Sequence, residues 1–257
     1  MMPHTDPRLT YGHILLAALA LGAASLAVGC YEDQCPSLED LPGAPTTGDE
    51  ATILAVGDSI MAMNGQLCQG VPGHAALALG RYVQDHSVGG RRLDHPDSDD
   101  DIMGQYEPGP WEWVVMTGGG NDMIQECACN VEGHDERGCW DTVDSLVDLE
   151  TGAGEIYDFL AQVRADEGNA ATVVLLGYYP FTDSSMANFD GCNAYLPTLN
   201  ERYRTLAEQE PDLLYLATDE RMDLQTHPER IWFDGVHPSV EGSAALGALV
   251  AETIAGM

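Results

Sequence analysis

Three residues of this chain have the types and the order needed for nucleophilic chemistry: Ser59, Asp234 and His237. A serine hydroxyl is a poor nucleophile at its own pKa, so it needs a base within hydrogen-bond reach and a third group that orients the base. Asp234 and His237 stand close together in Asp-Gly-Val-His-Pro, which places both side chains on one short segment. The carboxylate can therefore hold the imidazole in the tautomer that accepts the proton of the serine.

Acyl transfer also needs hydrogen-bond donors for the charge that develops on the carbonyl oxygen, and these donors must not ionise. The amides of Ser59 and Gly90 and the side-chain amide of Asn121 are suitable, with Gly89 as the alternative to Gly90. Ser59 follows an apolar run at Thr52–Val56 and a Gly-Asp pair. If a helix begins there, the Ser59 amide lies at a helix N-terminus, a position that favours negative charge.

Short apolar runs alternate with helical stretches along most of the chain. Strands are predicted at Thr52–Val56, Arg81–Val88, Trp111–Thr117, Ala171–Gly177 and Leu213–Ala217, the first and the fourth of them buried. Helical regions are predicted within 65–80 after a loop, at 141–164 with a break near 151–154, at 195–209 and at 240–254, and an irregular stretch is predicted at 123–140. Strands that alternate with helices predict a parallel sheet covered on both faces. Polar residues that follow such strands gather at the carboxyl edge of the sheet, where open α/β folds hold their sites.

These residues fall in four blocks that resemble those of the SGNH, or GDSL-type, hydrolases, a family named for its serine, glycine, asparagine and histidine. The blocks of this chain are Gly57-Asp58-Ser59, Ser87-Val88-Gly89-Gly90, Gly119-Gly120-Asn121-Asp122 and Asp234 to Pro238. They occur in the family order and span most of the chain. Two positions depart from the family pattern, since Asp85 stands where many members have asparagine and Ile60 where the namesake motif has leucine. Neither position touches the expected chemistry.

The resemblance implies a flavodoxin-like, three-layer α/β/α fold with five parallel strands, esterase activity and neither cofactor nor metal. It carries over Ser59 as the nucleophile, His237 as the base and Asp234 as the residue that orients the base. The amides of Ser59 and Gly90 and the side chain of Asn121 would form the oxyanion hole. It does not imply one substrate, and we expect a small-molecule or carbohydrate ester. Two alternatives stay open, an acyltransferase on the same residues and a surface-anchored binding protein that keeps the fold without turnover.

The N-terminal residues are typical of an export signal. An apolar run at 14–28 ends in Leu-Ala-Val-Gly-Cys, which resembles a bacterial lipobox, although Ala27 stands where that motif usually has leucine. Lipidation of Cys30 would anchor the exported protein at the bacterial cell envelope. The alternative is cleavage near Ala24, which would leave Cys30 unmodified and the protein secreted.

These features divide the chain into three predicted parts. They are a signal peptide over 1–29, an acidic and proline-rich linker over 30–50 and a hydrolase domain over 51–257. The length and the 44% hydrophobic content suit one core. We therefore expect a single folded domain that acts as a monomer.

Lipidation of Cys30 would leave an even number of cysteines, which suits disulfides in an oxidising compartment. The six are Cys35, Cys68, Cys127, Cys129, Cys139 and Cys192. Cys127, Cys129 and Cys139, together with His134, could instead form a zinc site. The Cys-x-Cys spacing at the start of this candidate zinc cluster is shorter than zinc sites usually have. We predict disulfides, and because their loop follows Asn121, we expect it to border the site.

The charge balance excludes some partners. The chain has 42 acidic and 10 basic residues, for a net charge of −32, and contains no lysine. Such a surface repels nucleic acid and anionic lipid headgroups, so we expect no nucleic-acid partner and membrane contact only through the lipid anchor. The acidic loop at 94–101 could bind calcium, but it lacks the EF-hand spacing, and we predict a solvated loop.

Overall fold

The structure is a computed structural model that describes residues 51–65, 68–93, 101–166, 170–182 and 189–257. The predicted signal peptide, Cys30, Cys35 and the linker lie outside the described residues, as does nearly all of the acidic loop at 94–101. Predictions for these segments stay predictions.

A five-stranded sheet forms the centre of the described chain, with strand order β2-β1-β3-β4-β5. All neighbouring strands pair in parallel. The strands are β1 (Ile53–Val56), β2 (Val83–Asp85), β3 (Trp113–Met116), β4 (Thr172–Leu176) and β5 (Leu213–Leu216). All residues of β1 and nearly all of β3 and β4 are buried, as expected for parallel strands covered on both faces. The predicted flavodoxin-like α/β/α fold is confirmed.

Helices cover both faces of this sheet. They are α1 (Ser59–Ala62), α2 (Val71–Leu79), α3 (Gly120–Glu126), α4 (Glu136–Leu146), α5 (Glu155–Ala165), α6 (Asp190–Asn193), α7 (Leu196–Gln209) and α8 (Val240–Ala255). The helix α2 packs along α8. Crossovers between parallel strands are right-handed as a rule, which places α2 and α8 on one face of the sheet and α3 to α7 on the other. No helix in the described ranges has both the length and the apolar composition needed to span a bilayer.

The strand order reverses next to β1. The chain moves from β1 to β2 in one direction and then passes through β3, β4 and β5 in the other. Ligand sites of open α/β sheets lie at the carboxyl ends of the strands at such a reversal. The segments that follow β1 and β3 here are Gly57-Asp58-Ser59 and the block that contains Asn121. The topology therefore places two of the four blocks side by side.

The predicted irregular stretch at 123–140 is wrong in part, because the end of α3 and the start of α4 lie within it. Asp135 caps α4, and its side chain accepts a hydrogen bond from the Arg137 amide at 3.0 Å. Cys139, Val143 and Leu146 form the buried face of α4. Cys139 therefore occupies a core position at helical spacing, in addition to its predicted place among the disulfide cysteines.

Two disulfides join segments around α3. One links Cys127 to Cys139 and the other links Cys129 to Cys192, at sequence separations of 12 and 63. Cys68 also takes part in a disulfide. The sulfurs of the candidate zinc cluster are therefore bonded to carbon and sulfur only.

Removing the longer cross-link should lower stability. A disulfide that closes a loop of this length restricts the unfolded chain, so the double variant Cys129→Ala/Cys192→Ala is expected to lose about 3–4 kcal/mol of unfolding free energy. Chemical denaturation monitored by circular dichroism measures this loss. The control variant Cys127→Ala/Cys139→Ala removes the disulfide that closes a loop of only 12 residues, so it should lose less unfolding free energy. An equal or greater loss in that control would contradict the argument from loop length.

Candidate active site

Ser59 is the first residue of α1, directly after the turn that leaves β1. Asp58 is the N-cap of this short helix, and its Oδ1 accepts a hydrogen bond from the Ile60 amide at 2.9 Å. The prediction that Ser59 lies at the carboxyl end of a strand and at a helix N-terminus is confirmed. The main chain there is fixed on both sides of the serine, by a buried strand before it and a capped helix after it.

Gly57 lets β1 approach the end of β3 closely. Its φ is +139°, and a Cβ atom at this position would lie 2.4 Å from Thr117 Oγ1. The Gly57 amide donates to Gln105 Oε1 at 2.6 Å, and Gln105 Nε2 donates back to the Gly57 carbonyl at 3.0 Å. One side-chain amide thus binds both polar groups of the peptide backbone two residues before Ser59. No local sequence signal pointed to Gln105.

Ser59, His237 and Asp234 form one hydrogen-bonded series. His237 Nε2 lies 2.8 Å from Ser59 Oγ, and His237 Nδ1 lies 2.8 Å from Asp234 Oδ2. The sequence separation of Ser59 and His237 is 178 residues, so only the fold brings them together. The three residue types that the sequence analysis singled out therefore meet at hydrogen-bond distance. Their catalytic roles stay a prediction.

Three hydrogen bonds from two separate segments hold the Asp234–His237 loop. Tyr179 donates a hydrogen bond to the Val236 carbonyl at 2.7 Å, and the Thr182 amide donates to the Gly235 carbonyl at 2.7 Å. From the other side, Asn64 Nδ2 donates to the Pro238 carbonyl at 3.1 Å. Tyr179 and Thr182 follow β4, while Asn64 lies shortly after α1. These contacts tie the orientation of the imidazole to the sheet.

Asp234 is arranged as an anion. Its Oδ1 accepts hydrogen bonds from the Val236 and His237 amides, each at 3.0 Å, and its Oδ2 faces His237 Nδ1. Partial burial alone would raise the pKa of Asp234, but the bonds from His237 and Val236 outweigh it and lower the pKa to about 2. The carboxylate is therefore charged at neutral pH and accepts a proton-bearing Nδ1. His237 Nε2 is then the nitrogen that can accept a proton from Ser59.

The depressed pKa of Asp234 predicts a loss of stability in acid. The folded-state pKa of about 2 lies below the ordinary aspartate value of 3.8, so this carboxylate contributes stability above about pH 4 that disappears as pH falls toward 2. The shift corresponds to about 2 kcal/mol. We expect the difference in unfolding free energy between wild type and Asp234→Asn to shrink by that amount from pH 5 to pH 2 in urea titrations. A difference in unfolding free energy that does not change with pH would contradict the lowered pKa of Asp234 in the folded state.

The glycine block lies between Ser59 and Asn121. A Cβ atom on Gly89 would stand 3.6 Å from Cβ of Ser59, so Gly89 packs beside the serine. The Arg91 carbonyl accepts a hydrogen bond from Asn121 Nδ2 at 2.9 Å. Gly90, at φ +81°, is the residue between these two contacts. The structure thus gathers the three predicted oxyanion residues in one place, and the part each one plays stays a prediction.

Asp122 fastens the segment that follows the glycine block to α3. It is buried, and its Oδ2 accepts a hydrogen bond from the Leu93 amide at 3.1 Å. The carbonyl of Arg91 occupies one N–H of the Asn121 amide, which has two. Together these bonds fix where the Asn121 side chain points.

A buried polar network lies under the serine, and the sequence analysis missed it. Asp58 accepts hydrogen bonds from the hydroxyls of Thr117 at 2.9 Å and Tyr178 at 2.5 Å, in addition to the cap bond. Burial raises the pKa of Asp58, although the bonds from Tyr178, Ile60 and Thr117 oppose this rise. The position of Tyr178 just beyond the carboxyl end of β4 was the available signal.

Two aromatic residues precede the Asp234–His237 loop. Phe233 is 73% exposed and Trp232 is 38% exposed, and their rings lie 5.8 Å apart between centroids. The Trp232 amide donates to the His237 carbonyl at 2.9 Å, so the pair begins at the edge of the hydrogen-bonded series. The disulfide-bonded segment carries another exposed ring, Trp140, which packs edge-on against Tyr195 at 4.9 Å.

The described residues contain no group of three or more His, Cys, Asp or Glu side chains that could hold a metal ion. His134, the histidine of the candidate zinc cluster, contacts the Tyr195 hydroxyl through Nε2 at 3.2 Å.

Several solved structures share this fold. An aryl esterase from M. smegmatis superimposes with a TM-score of 0.55 at 16% sequence identity, covering 80% of this chain and 99% of the esterase. Phospholipase A1 from Streptomyces albidoflavus gives a TM-score of 0.52 at 19% identity over 78% of this chain and 98% of the phospholipase. An acetyl-xylooligosaccharide esterase from Geobacillus gives 0.55 at 17% identity over 82% and 96%. At these low sequence identities, the structural similarity shows that this chain shares the fold of the three enzymes.

Sequence comparison identifies the family. No curated protein sequence matches the chain significantly. The sequence profile of the GDSL-like lipase/acylhydrolase family matches residues 55–245, which include the serine, glycine, asparagine and histidine blocks. That match covers most of the chain and all the described site residues. The chain belongs to the GDSL-like lipase/acylhydrolase family and is a hydrolase of ester bonds.

Proposed function

We propose that the protein is a serine esterase that forms an acyl-enzyme on Ser59. One observation carries the proposal: Ser59 Oγ, His237 and Asp234 are joined by two hydrogen bonds of 2.8 Å each. This is the geometry that activates a hydroxyl, with a base in reach and a carboxylate that orients the base. The family match and the esterases of the same fold support it.

In the first half of the reaction, Ser59 Oγ attacks the ester carbonyl and His237 Nε2 accepts its proton. The carbonyl oxygen gains a full negative charge in the tetrahedral intermediate. Donors for that charge are the Ser59 and Gly90 amides and the second N–H of the Asn121 side chain. Asp234 stays ionised and stabilises the imidazolium, because its pKa lies near 2.

In the second half, the intermediate collapses and the alcohol leaves with the proton from His237. Water then enters, gives a proton to His237 Nε2 and attacks the acyl carbonyl. The same donors stabilise the second oxyanion, and His237 returns the proton to Ser59 Oγ as the acid leaves. His237 Nε2 carries the proton in both halves of the reaction. Ser59 and His237 therefore regain their starting protonation states after each turnover.

The substrate we propose is a small-molecule or carbohydrate ester. The exposed rings of Trp232 and Phe233 next to Asp234 offer an apolar surface against which an acyl group or a sugar ring can pack. The enzymes of this fold with solved structures include a phospholipase and an acetyl-xylooligosaccharide esterase, which differ in the ester they act on. The choice of ester therefore depends on the rim of the site rather than on the fold.

We also propose that the protein works outside the cytoplasm as a monomer. The apolar run at 14–28, the Leu-Ala-Val-Gly-Cys sequence and the disulfides support export to an oxidising compartment. Cys30 would carry the lipid, and the linker over 30–50 would separate the domain from the membrane. Metabolic labelling with an alkyne fatty acid, compared with Cys30→Ser, tests the anchor, and unlabelled wild type would contradict it.

The test of the esterase proposal is covalent labelling of the protein by a fluorophosphonate, followed by peptide mass spectrometry. We expect one adduct, on Ser59, together with release of p-nitrophenol from p-nitrophenyl acetate. Adding glycerol and analysing the products separates hydrolysis from transfer, because an acyltransferase would form the glycerol ester. A folded protein with neither label nor turnover would overturn the proposal in favour of a binding protein.

A further inference from the structure

The phenol of Tyr178 joins two separate loops of the site. Its side chain is buried, and its hydroxyl donates to Asp58 Oδ2 at 2.5 Å. The same hydroxyl oxygen accepts a hydrogen bond from the Gly120 amide at 2.8 Å. Asp58 directly precedes Ser59, and Gly120 directly precedes Asn121. One side-chain atom therefore lies between the residues next to two of the proposed oxyanion donors.

At the first end, the bond from Tyr178 fixes the start of α1. Asp58 is the N-cap of that helix, with its other carboxylate oxygen bound to the Ile60 amide and the Thr117 hydroxyl. Its three partners are all donors, which suits an ionised carboxylate. Because the carboxylate is hydrogen-bonded through both oxygens, its position helps to determine the orientation of the peptide that carries the Ser59 amide.

At the second end, Tyr178 fixes the start of α3. A Cβ atom on Gly120 would lie 2.7 Å from Cε1 of the Tyr178 ring, so the ring lies directly against the main chain there. The bond from the Gly120 amide adds a directional contact to this packing. Asn121 follows at once, and its side chain is held on its far side by the Arg91 carbonyl.

The two neighbouring buried tyrosines behave differently. Tyr179 donates to the Val236 carbonyl and Tyr203 to the Gly118 carbonyl, so each of these two bonds fastens one loop. The Tyr178 hydroxyl instead bonds to two loops that come from different strands, β1 and β3. Removing its oxygen would leave the ring packing in place but take away the only atom shared by both bonds.

Spacing matters here because oxyanion donors act only when they lie about 2.7–3.1 Å from the charged oxygen. We propose that Tyr178 is a positioning residue of the esterase reaction, whose hydroxyl sets the distance between the Ser59 amide and the Asn121 side chain. The inference rests on the proposed function, in which those two donors bind the same negatively charged oxygen of the reaction intermediate. Tyr178 acts through Asp58 and Gly120 and does not touch the substrate.

The experiment compares Tyr178→Phe with Tyr106→Phe. Tyr106 is a matched control, since it is also buried and also donates to a carboxylate, that of Asp166, which lies outside the proposed site. For Tyr178→Phe we expect kcat for p-nitrophenyl acetate to fall on the order of tenfold to a hundredfold, with KM within about threefold of wild type. Tyr106→Phe should keep both constants and lose a similar amount of melting temperature.

A tetrahedral anion gives a second readout. Phenylboronic acid adds to Ser59 Oγ through a boron–oxygen bond, the serine proton passes to His237, and the boron carries the charge. Its affinity for Tyr178→Phe should fall by about the same factor as kcat/KM, because both depend on the oxyanion donors. Boronate affinity that stays at the wild-type value would overturn the inference.

Gly120→Ala keeps the test decisive if Tyr178→Phe does not fold. Its added methyl group would displace the ring while keeping the hydroxyl, so kcat should again fall. Wild-type kcat in either folded variant, or an equal loss in Tyr106→Phe, overturns the inference alone, provided that Ser59→Ala abolishes hydrolysis. Hydrolysis that survives Ser59→Ala overturns the proposed function and the inference together.

Discussion

Replacing Ser59 with alanine is expected to lower kcat for p-nitrophenyl acetate by about 10⁴-fold or more, since removing a serine nucleophile that works with a base costs several orders of magnitude. The loss is large because no other group could carry the acyl intermediate once Oγ is gone. His237 Nε2 would keep its place and lose its 2.8 Å partner. Steady-state kinetics at saturating substrate measure the effect, and fluorophosphonate labelling should disappear with it.

A matched control separates this loss from damage to the fold. Ser145→Ala removes another helical hydroxyl, which donates to the Thr142 carbonyl on the exposed side of α4. It should leave kcat unchanged. Ser59→Ala should itself keep a melting temperature close to that of wild type, because Asp58 rather than Ser59 caps α1. Hydrolysis within tenfold of wild type in a folded Ser59→Ala protein would contradict the assignment of the nucleophile.

Asp234→Asn should give the second largest effect, a fall in kcat of roughly 10³–10⁴-fold. An asparagine can still accept the Val236 and His237 amides through its oxygen. Its amino group would then face His237 Nδ1, where two donors cannot bond. The imidazole would turn to the tautomer that carries its proton on Nε2, and that nitrogen could no longer take the proton of Ser59. Stopped-flow or steady-state kinetics across pH 6–9 measure the loss.

Asp223→Asn is the control for this change. Asp223 makes the same kind of local turn, accepting the Gln225 amide at 3.0 Å, but has no histidine of the site as its partner. It should retain wild-type kcat and KM. The assignment fails if Asp234→Asn keeps most of its activity, or if Asp223→Asn loses as much.

The sequence alone determined most of the sheet. The apolar runs at 111–117 and 171–177 predicted two central strands, and the structure places β3 and β4 inside them. Such runs are readable because strands buried on both faces carry apolar residues at nearly every position. The break predicted near 151–154 also falls between α4 and α5. The prediction failed at 123–140, where two glycines and three cysteines interrupt the apolar period that would have shown the end of α3 and the start of α4.

The sequence also determined which residue types belong to the site. Ser59, Asn121, Asp234 and His237 stand in short blocks whose internal spacing is a local property, and the family profile covers them all. Because the resemblance implies a flavodoxin-like sheet, the blocks after β1 and β3 could be expected to meet at its carboxyl edge. The glycine block could be located, but only contacts decided that Gly89 packs against Ser59 while Arg91 holds Asn121.

Only the tertiary structure decided what supports these residues. Tyr178 bonds Asp58 across 120 residues of sequence, and Gln105 binds Gly57 across 48. Cys129 pairs with Cys192 across 63 residues, although six cysteines allow fifteen sets of three pairs. A side chain buried between two strand ends carries no local pattern, since its partners are chosen by which strands become neighbours. The sequence therefore identifies the reacting groups, and the packing of distant segments sets the distances between them.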